Sequence, residues 1–293
     1  MKKSYFQIIL AALMWGIMGL FVRKLTSLGI TRMQIALLRV LVAVVFMIPV
    51  VFFRNKRFPK IHLRDLWCFV GTGVFSLTIY NLCYFTAIQY MTLSVAAVFT
   101  YTSPAFVIIF SSLLFGEKIT ISRLLSLILV FSGCVLVTGV IGGGAVYVTF
   151  AGILYGLGAG LSYALYSIFG RFALNRGYHT LTITFYTFLF SLIGCVPFAD
   201  IDSLIANITP MVWIYAAGLG TICCLLPYLL YTKGLCGIDN GTASIFSTLE
   251  TVVATLIGVF FYNEVLTWNN MIGIALLFVG ISIPVYAARK CAT

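Results

Sequence analysis

The residue of this chain with the most chemistry in it is Glu250, an acid set inside the apolar run STLETVV. At mid-membrane depth a carboxylate costs about 2.5–3.5 kcal/mol on insertion scales. Such a group must face a cavity, meet a partner or carry a proton. Two uses follow, coupling of transport to protons and binding of a cationic or polar solute. The structural alternative is a protonated Glu that hydrogen-bonds a neighbouring helix and never changes charge. Arg39 is the basic counterpart in another apolar run. It can meet an anionic substrate group or pair with a carboxylate. The simpler expectation is that it snorkels, because six residues at ~1.5 Å rise leave about 9 Å to the interface. Aromatic side chains supply the third feature. Tyr80 and Tyr84 stack at i, i+4, and Tyr163 and Tyr166 at i, i+3. With Trp15, Asn81, Tyr101, Tyr228 and Tyr231 they can line an amphipathic pocket for a small organic solute. Against this, 15% of the chain is aromatic, so packing filler is the alternative for any one ring.

Other chemistries find no support. His62 and His179 are the two histidines, and neither has ligands at metal spacing. The eight cysteines form no CxxC pair and read as small apolar filler. There is no GxSG nucleophile context and no Walker-type loop, so neither a catalytic residue, a metal nor a cofactor is expected. The formal charge of +11 does not imply a nucleic-acid partner, because the basic residues lie in short loops between apolar stretches.

Those residues need a bilayer to position them. The chain is 62% hydrophobic and 9% charged, with a mean hydropathy of +1.11, where soluble domains carry about 25% charge. A hydrocarbon core of about 30 Å takes roughly 20 apolar residues per helix. Ten spans are expected, at 5–22, 33–53, 66–88, 92–115, 121–140, 147–169, 180–199, 210–232, 241–262 and 268–288. Lys2-Lys3 followed by a full-length span is not a cleavable leader. Arg23, Lys24 and Arg32 fall on one side and Arg39 within a span, while the remaining Lys and Arg fall on the other side. That bias puts both termini in the cytoplasm of a cell-membrane protein.

The chain is also written twice. Tyr84 falls on Tyr231, Ala96 on Ala243, Phe99 on Phe246, Glu117 on Glu264 and Gly133 on Gly280 at one constant offset. Trp15 falls on Tyr163, Arg23 on Arg171, Gly29 on Gly177 and Pro49 on Pro197 one residue further on. Five spans per copy is an odd number, so the second copy enters the membrane the opposite way round. The expected fold is all-α integral membrane, ten transmembrane helices as two inverted five-helix repeats at 1–140 and 147–288. Gly152, Gly156 and Gly160 predict close helix packing. Pro104 and Pro227 predict broken backbone hydrogen bonds at mid-depth.

Ten spans in duplicate, Trp15-Gly16 in the first span and Pro104 followed by Gly116-Glu117 in the fourth resemble the EamA-type drug/metabolite transporters. The second half echoes that family's Leu-Glu-Pro…Gly-Glu pattern as Leu249-Glu250-Thr251…Asn263-Glu264, departing at Thr251 and Asn263. The resemblance covers the whole chain. It implies alternating access through a cavity lined by spans 1, 3, 4, 6, 8 and 9, with 5 and 10 peripheral. The leading expectation is a secondary transporter exporting a small organic solute, an amino acid or related metabolite, with Glu250 as the proton-coupling candidate. Import of a small cationic or polar metabolite is the alternative, and an intramembrane enzyme comes behind both.

Overall fold

The computed structural model describes residues 2–55, 60–141 and 147–290, and its regular elements are helices. Among the described residues nine helical stretches are long and apolar enough to cross a membrane. They are α1 (Lys2–Ser27), α2 (Arg32–Phe53), α3 (Leu63–Tyr90), α4 (Leu93–Phe115), α6 (Phe150–Asn175), α7 (Thr180–Phe198), α8 (Pro210–Leu235), α9 (Asn240–Tyr262) and α10 (Trp268–Tyr286). The remaining apolar helix, α5 (Ile121–Val137), is shorter. Ten full-length spans are therefore corrected to nine and one helix of 17 residues, about 25 Å at 1.5 Å per residue. The reason is local. Gly139 takes φ +71° two residues after Val137 and turns the chain, where an unbroken span to 140 was expected. A second correction concerns α6. It opens at Phe150, where Thr149 Oγ1 accepts from the Gly152 amide at 3.1 Å. It then runs on to Asn175, so Arg171 belongs to a helix and not to a loop. Lys56, Arg57 and Cys291 lie outside the described residues.

Two ends of the bundle are fixed by contacts. At the N-terminal end Gly237 packs on Ser4, Arg176 pairs with Asp65 at 2.9 Å, and Arg123 with Asp239 at 2.9 Å. At the far end Arg23 pairs with Glu264 at 2.6 Å. There too the Thr149 amide donates to Tyr90 O at 3.1 Å, and Asn270 Nδ2 to Val137 O at 2.8 Å. It follows that α1 runs from the N-terminal end to the far end, and α6 runs the other way. The halves are antiparallel, and their first helices are exchanged. α1 lies on α8 and α9, where Gly16 faces Val253 and Gly234 faces Ile8. α6 lies on α3 and α4, where Gly152 meets Tyr90 O, Gly156 meets Phe99 and Gly160 meets Phe99 O and Thr102. Lipid tails are as apolar as leucine, so such close approach is what holds membrane helices together.

The inversion repeats down to single residues. Gly29 and Gly177 both take left-handed φ, +83° and +80°, after α1 and α6. Gly116 ends α4 at φ +67°, and Asn263 ends α9 at +54°. Asn is the other residue that tolerates this cap, so the departure from Gly there leaves the turn intact. In the α5–α10 pair, Gly133 and Gly273 face each other's carbonyls, and Ser126 Oγ donates to Gly280 O at 2.5 Å. The repeat offset maps each of these contacts onto the other.

α3 and α8 each contain a widened π segment, Gly71–Thr78 and Thr221–Leu225, at matching places. Pro227 follows this wide turn and its helix runs on through it, with the slack that a π segment gives taking up the donor that proline lacks. α4 is interrupted at Tyr101–Thr102, next to Pro104 as expected. α9 is interrupted at Thr248 without any proline. There Ser244, Ser247 and Thr248 hydroxyls donate to the carbonyls of Gly241, Ser244 and Ile245, at 2.9, 2.7 and 2.7 Å. Hydroxyls that take carbonyls three residues back compete with the helix ladder and bend it.

Candidate functional site

The exchanged helices α1 and α6, the broken helices α4 and α9, and the π-widened helices α3 and α8 all meet at mid-depth. Their convergence leaves a cavity of about 250 Å³, lined by Trp15, Arg39, Tyr80, Tyr84, Tyr101, Tyr163, Tyr228 and Glu250 among others. The further lining by Met18, Gly19, Ala97 and Ala254 lies on the far-end side of these residues. A smaller space of about 20 Å³ lies beside it toward the N-terminal end, between Ser76, Ser103, Tyr166, Tyr231 and Ser247. That is room for about one water. A side chamber of about 50 Å³ leads off past Arg39, Asn81 and Phe85 to Arg32. All eleven candidate residues border at least one of these three neighbouring spaces.

Glu250 stands in the first turn of Leu249–Tyr262, the second half of the broken α9. The free amides of a helix N-terminus favour a negative charge at that position. Tyr163 Oη donates to Glu250 Oε2 at 3.5 Å, a long bond. No cation pairs with Glu250 among the described residues, and none of the ion pairs found there involves Arg39.

Arg39 is the main correction to the sequence reading. It does not snorkel: the residue is 8% exposed. Its Nη2 donates to Asn81 Oδ1 at 3.3 Å and its Nη1 to Met18 Sδ at 3.4 Å, while Nε has no partner. The axial distance to the interface is short, but α1 and α3 wall the side chain in and turn it toward the cavity. Consequently α2 contributes to the lining, which the family resemblance did not imply. α5 and α10 contribute nothing to these spaces among the described residues and pack on one another.

The aromatic residues divide into two groups. Tyr80 stacks on Tyr84 at 5.7 Å between centroids and leans on Tyr163 at 5.4 Å, on the open side. Trp15 meets Tyr228 at 5.2 Å and Tyr231 at 5.4 Å, and Tyr166 meets Tyr228 at 4.9 Å. This second group closes the way to the N-terminal end. Tyr166 Oη and Thr232 Oγ1 are 2.6 Å apart, and Ser167 Oγ and Tyr231 Oη are 2.8 Å apart. The matched pair Tyr84 and Tyr231 therefore stand on opposite sides of the mid-plane, as an inverted repeat requires.

Below the aromatic closure lies a polar one. Glu117 accepts from the amides of Asn240 and Gly241 at 3.0 and 3.4 Å. Arg171 Nε donates to Asn240 Oδ1 at 2.9 Å and its Nη2 to Ile238 O at 2.6 Å. Arg123 joins Asp239 and Glu117 at 2.9 and 3.7 Å. At the far end the repeat-equivalent pair, Arg23 and Glu264, is about half exposed, and such pairs are worth about 0–1 kcal/mol.

Several lining residues were not anticipated: Met18, Arg32, Ser76, Ser103, Thr100, Ser244 and Ser247. The serines had a readable signal, since clustered hydroxyls mark bent helices. Met18 had none. Among the described residues no group of three or more His, Cys, Asp or Glu can hold a metal ion.

The EamA-like transporter family matches this chain twice, over residues 2–139 and 150–286. An uncharacterized transporter of Archaeoglobus fulgidus is 28% identical over 97% of this chain and 96% of its own length. The uncharacterized transporter YwfM of Bacillus subtilis is 26% identical over 97% of this chain and 94% of its own. A solved crystal structure superposes with a TM-score of 0.79 over 100% of this chain and 99% of that one, at 19% identity, a likeness of fold.

Proposed function

This chain belongs to the EamA-like transporter family and is a multi-pass membrane protein, and on that premise we propose that it is a secondary transporter exporting an amino acid or related small metabolite. The unit of transport is the pair of inverted five-helix repeats, 1–140 and 147–288, with the short α5 serving as fifth span. Both termini face the cytoplasm, so the N-terminal end is the cytoplasmic one. The observation that carries the reading is the cavity of about 250 Å³ between the halves, with a space of only about 20 Å³ beside it toward the N-terminal end. One-sided access to a mid-depth hollow between inverted halves is what alternating access requires.

Glu250 is the coupling group in this proposal. It borders the main cavity, which the proposed orientation turns outward. In the opposite state the same carboxylate faces the cytoplasm, so a proton taken on one side is released on the other as solute moves outward. The tyrosine-rich wall also suits a cation. That favours, as second reading, import of a small cationic or polar metabolite loaded from the outward-facing cavity.

Proteoliposomes loaded with a mixture of amino acids test the proposal. With an imposed pH gradient, acid outside, wild-type protein is expected to accelerate efflux of at least one of them. Glu250→Gln is expected to retain solute exchange and lose the acceleration. An unchanged pH response in Glu250→Gln removes the carboxylate from coupling, and solute uptake driven by the same gradient favours the import reading.

A further inference from the structure

The side chamber beside the main cavity holds a charge that neither proton coupling nor packing uses. Arg39 lies at its inner end, Asn81 beside it and Arg32 at its exposed mouth. The two arginines are seven positions apart, two helical turns, which puts both on one face of α2. A buried guanidinium is costly unless it is paired. Arg39 has one oxygen partner, one sulfur partner and an unpartnered Nε. Seven acidic residues exist in the chain and all of them are described, yet none lies within ion-pairing distance of Arg39. Helix packing does not explain an uncompensated charge that borders two spaces at once.

We infer that Arg39, oriented by Asn81, is the subsite for a carboxylate on the transported solute, and that Arg32 draws that carboxylate in through the side chamber. This deepens the transporter reading and rests on it. A guanidinium presents a planar fork that matches a carboxylate in two parallel hydrogen bonds. The rest of the chamber is neutral and largely apolar, formed by Met18, Val22, Ile35, Ala36 and Phe85. Those walls suit a singly charged group better than a doubly charged phosphate. Glu250 borders the same main cavity, so a solute with an ammonium group as well can address both charges. The site therefore selects carboxylates and zwitterions and discriminates against simple amines.

Ligand-induced thermal stabilisation of the purified full-length protein tests this, because a ligand that binds only the folded form raises the melting temperature by mass action. The probes are phenylalanine, 3-phenylpropanoate and 2-phenylethylamine, with the matching acid, amine and amino acid on the leucine skeleton. Amino acids and carboxylates are expected to stabilise wild-type protein more than the amines do. Arg39→Gln should weaken both by about 10- to 100-fold, the loss of a charge-assisted hydrogen bond pair. Arg39→Lys should recover part of that loss. Asn81→Asp, nearly isosteric and adjacent to Nη2, supplies an internal carboxylate and should exclude the ligand's carboxylate while the protein stays folded. Amines that bind as well as the acids, or carboxylate binding unchanged in both Arg39→Gln and Asn81→Asp, overturn the subsite and leave the central-cavity reading standing. Failure of every probe to stabilise the wild type counts against both.

Discussion

At the scale of single residues, two opposite charges border one hollow without meeting, and each has a physical reason for its place. Glu250 gains from the amides at the start of a half-helix. Arg39 is held off the lipid by α1 and α3. That Glu250 borders a cavity is one of the placements that an acid inside STLETVV requires. Arg39 was misread because the sequence gives its height in the membrane but not its bearing around the helix axis relative to Met18 and Asn81. The aromatic residues were readable as a set and not individually. Trp15 belongs to the closed side and Tyr84 to the open side, a division that only packing reveals. Removing either ring should weaken solute binding by about 0.5–1.5 kcal/mol without unfolding the protein. Titration of Trp15→Ala and Tyr84→Ala with a transported solute checks this, and normal apparent affinity in both would exclude aromatic contact there.

At the scale of elements, the GxxxG steps on α6 behave as close-packing surfaces, and the packing makes a graded prediction. A methyl group at Gly160 meets Thr102 Oγ1 and, at 2.6 Å, Phe99 O. Gly160→Ala should cost about 1–3 kcal/mol through overpacking. Gly170 has nothing within 4 Å of an added Cβ. Gly170→Ala should be neutral or stabilising by up to about 1 kcal/mol. Melting temperatures of the two variants in detergent should move apart in that order. The polar closure makes a second prediction. Glu117 caps the start of α9 and ties it to the end of α4. Glu117→Gln weakens that tie, so a cysteine at Ser247 should react faster with a reagent applied from the N-terminal side; an unchanged rate would show that the aromatic layer alone seals that end. Most spans and the Pro104 break were legible from hydropathy and from the missing donor of proline. The α9 break was not, because its cause is a run of hydroxyls and not a proline. The shortness of α5 was missed because Gly139 sits inside an apolar stretch that continues past it.

At the scale of the whole molecule, the duplication places equivalent polar sets at both ends of the bundle. Arg23 with Glu264 and Arg171 near Glu117 are repeat-equivalent sets at opposite ends. In the state described, the N-terminal set is knitted into Arg123, Asp239 and Asn240, and the far set is a half-exposed pair. The inverted arrangement was legible from an odd number of spans at constant offset. Which end is the more tightly packed was not, because hydropathy and a repeat offset do not report how side chains pack at either end. The topology predicts that cysteines at Arg64 and Asp202 react with an impermeant reagent from opposite sides of the membrane.

The measurement that bears most directly on alternating access is paired labelling across the mid-plane. In a background with the native cysteines replaced, cysteines at Ala97 and at Ser247 are probed from each side with an impermeant maleimide, with and without a transported solute. Reciprocal change is expected: Ala97→Cys reacts from the far side while Ser247→Cys is protected, and conditions that expose Ser247→Cys to the N-terminal side protect Ala97→Cys. Simultaneous reactivity of both positions from one side, or rates at both that never change with solute, would contradict the account.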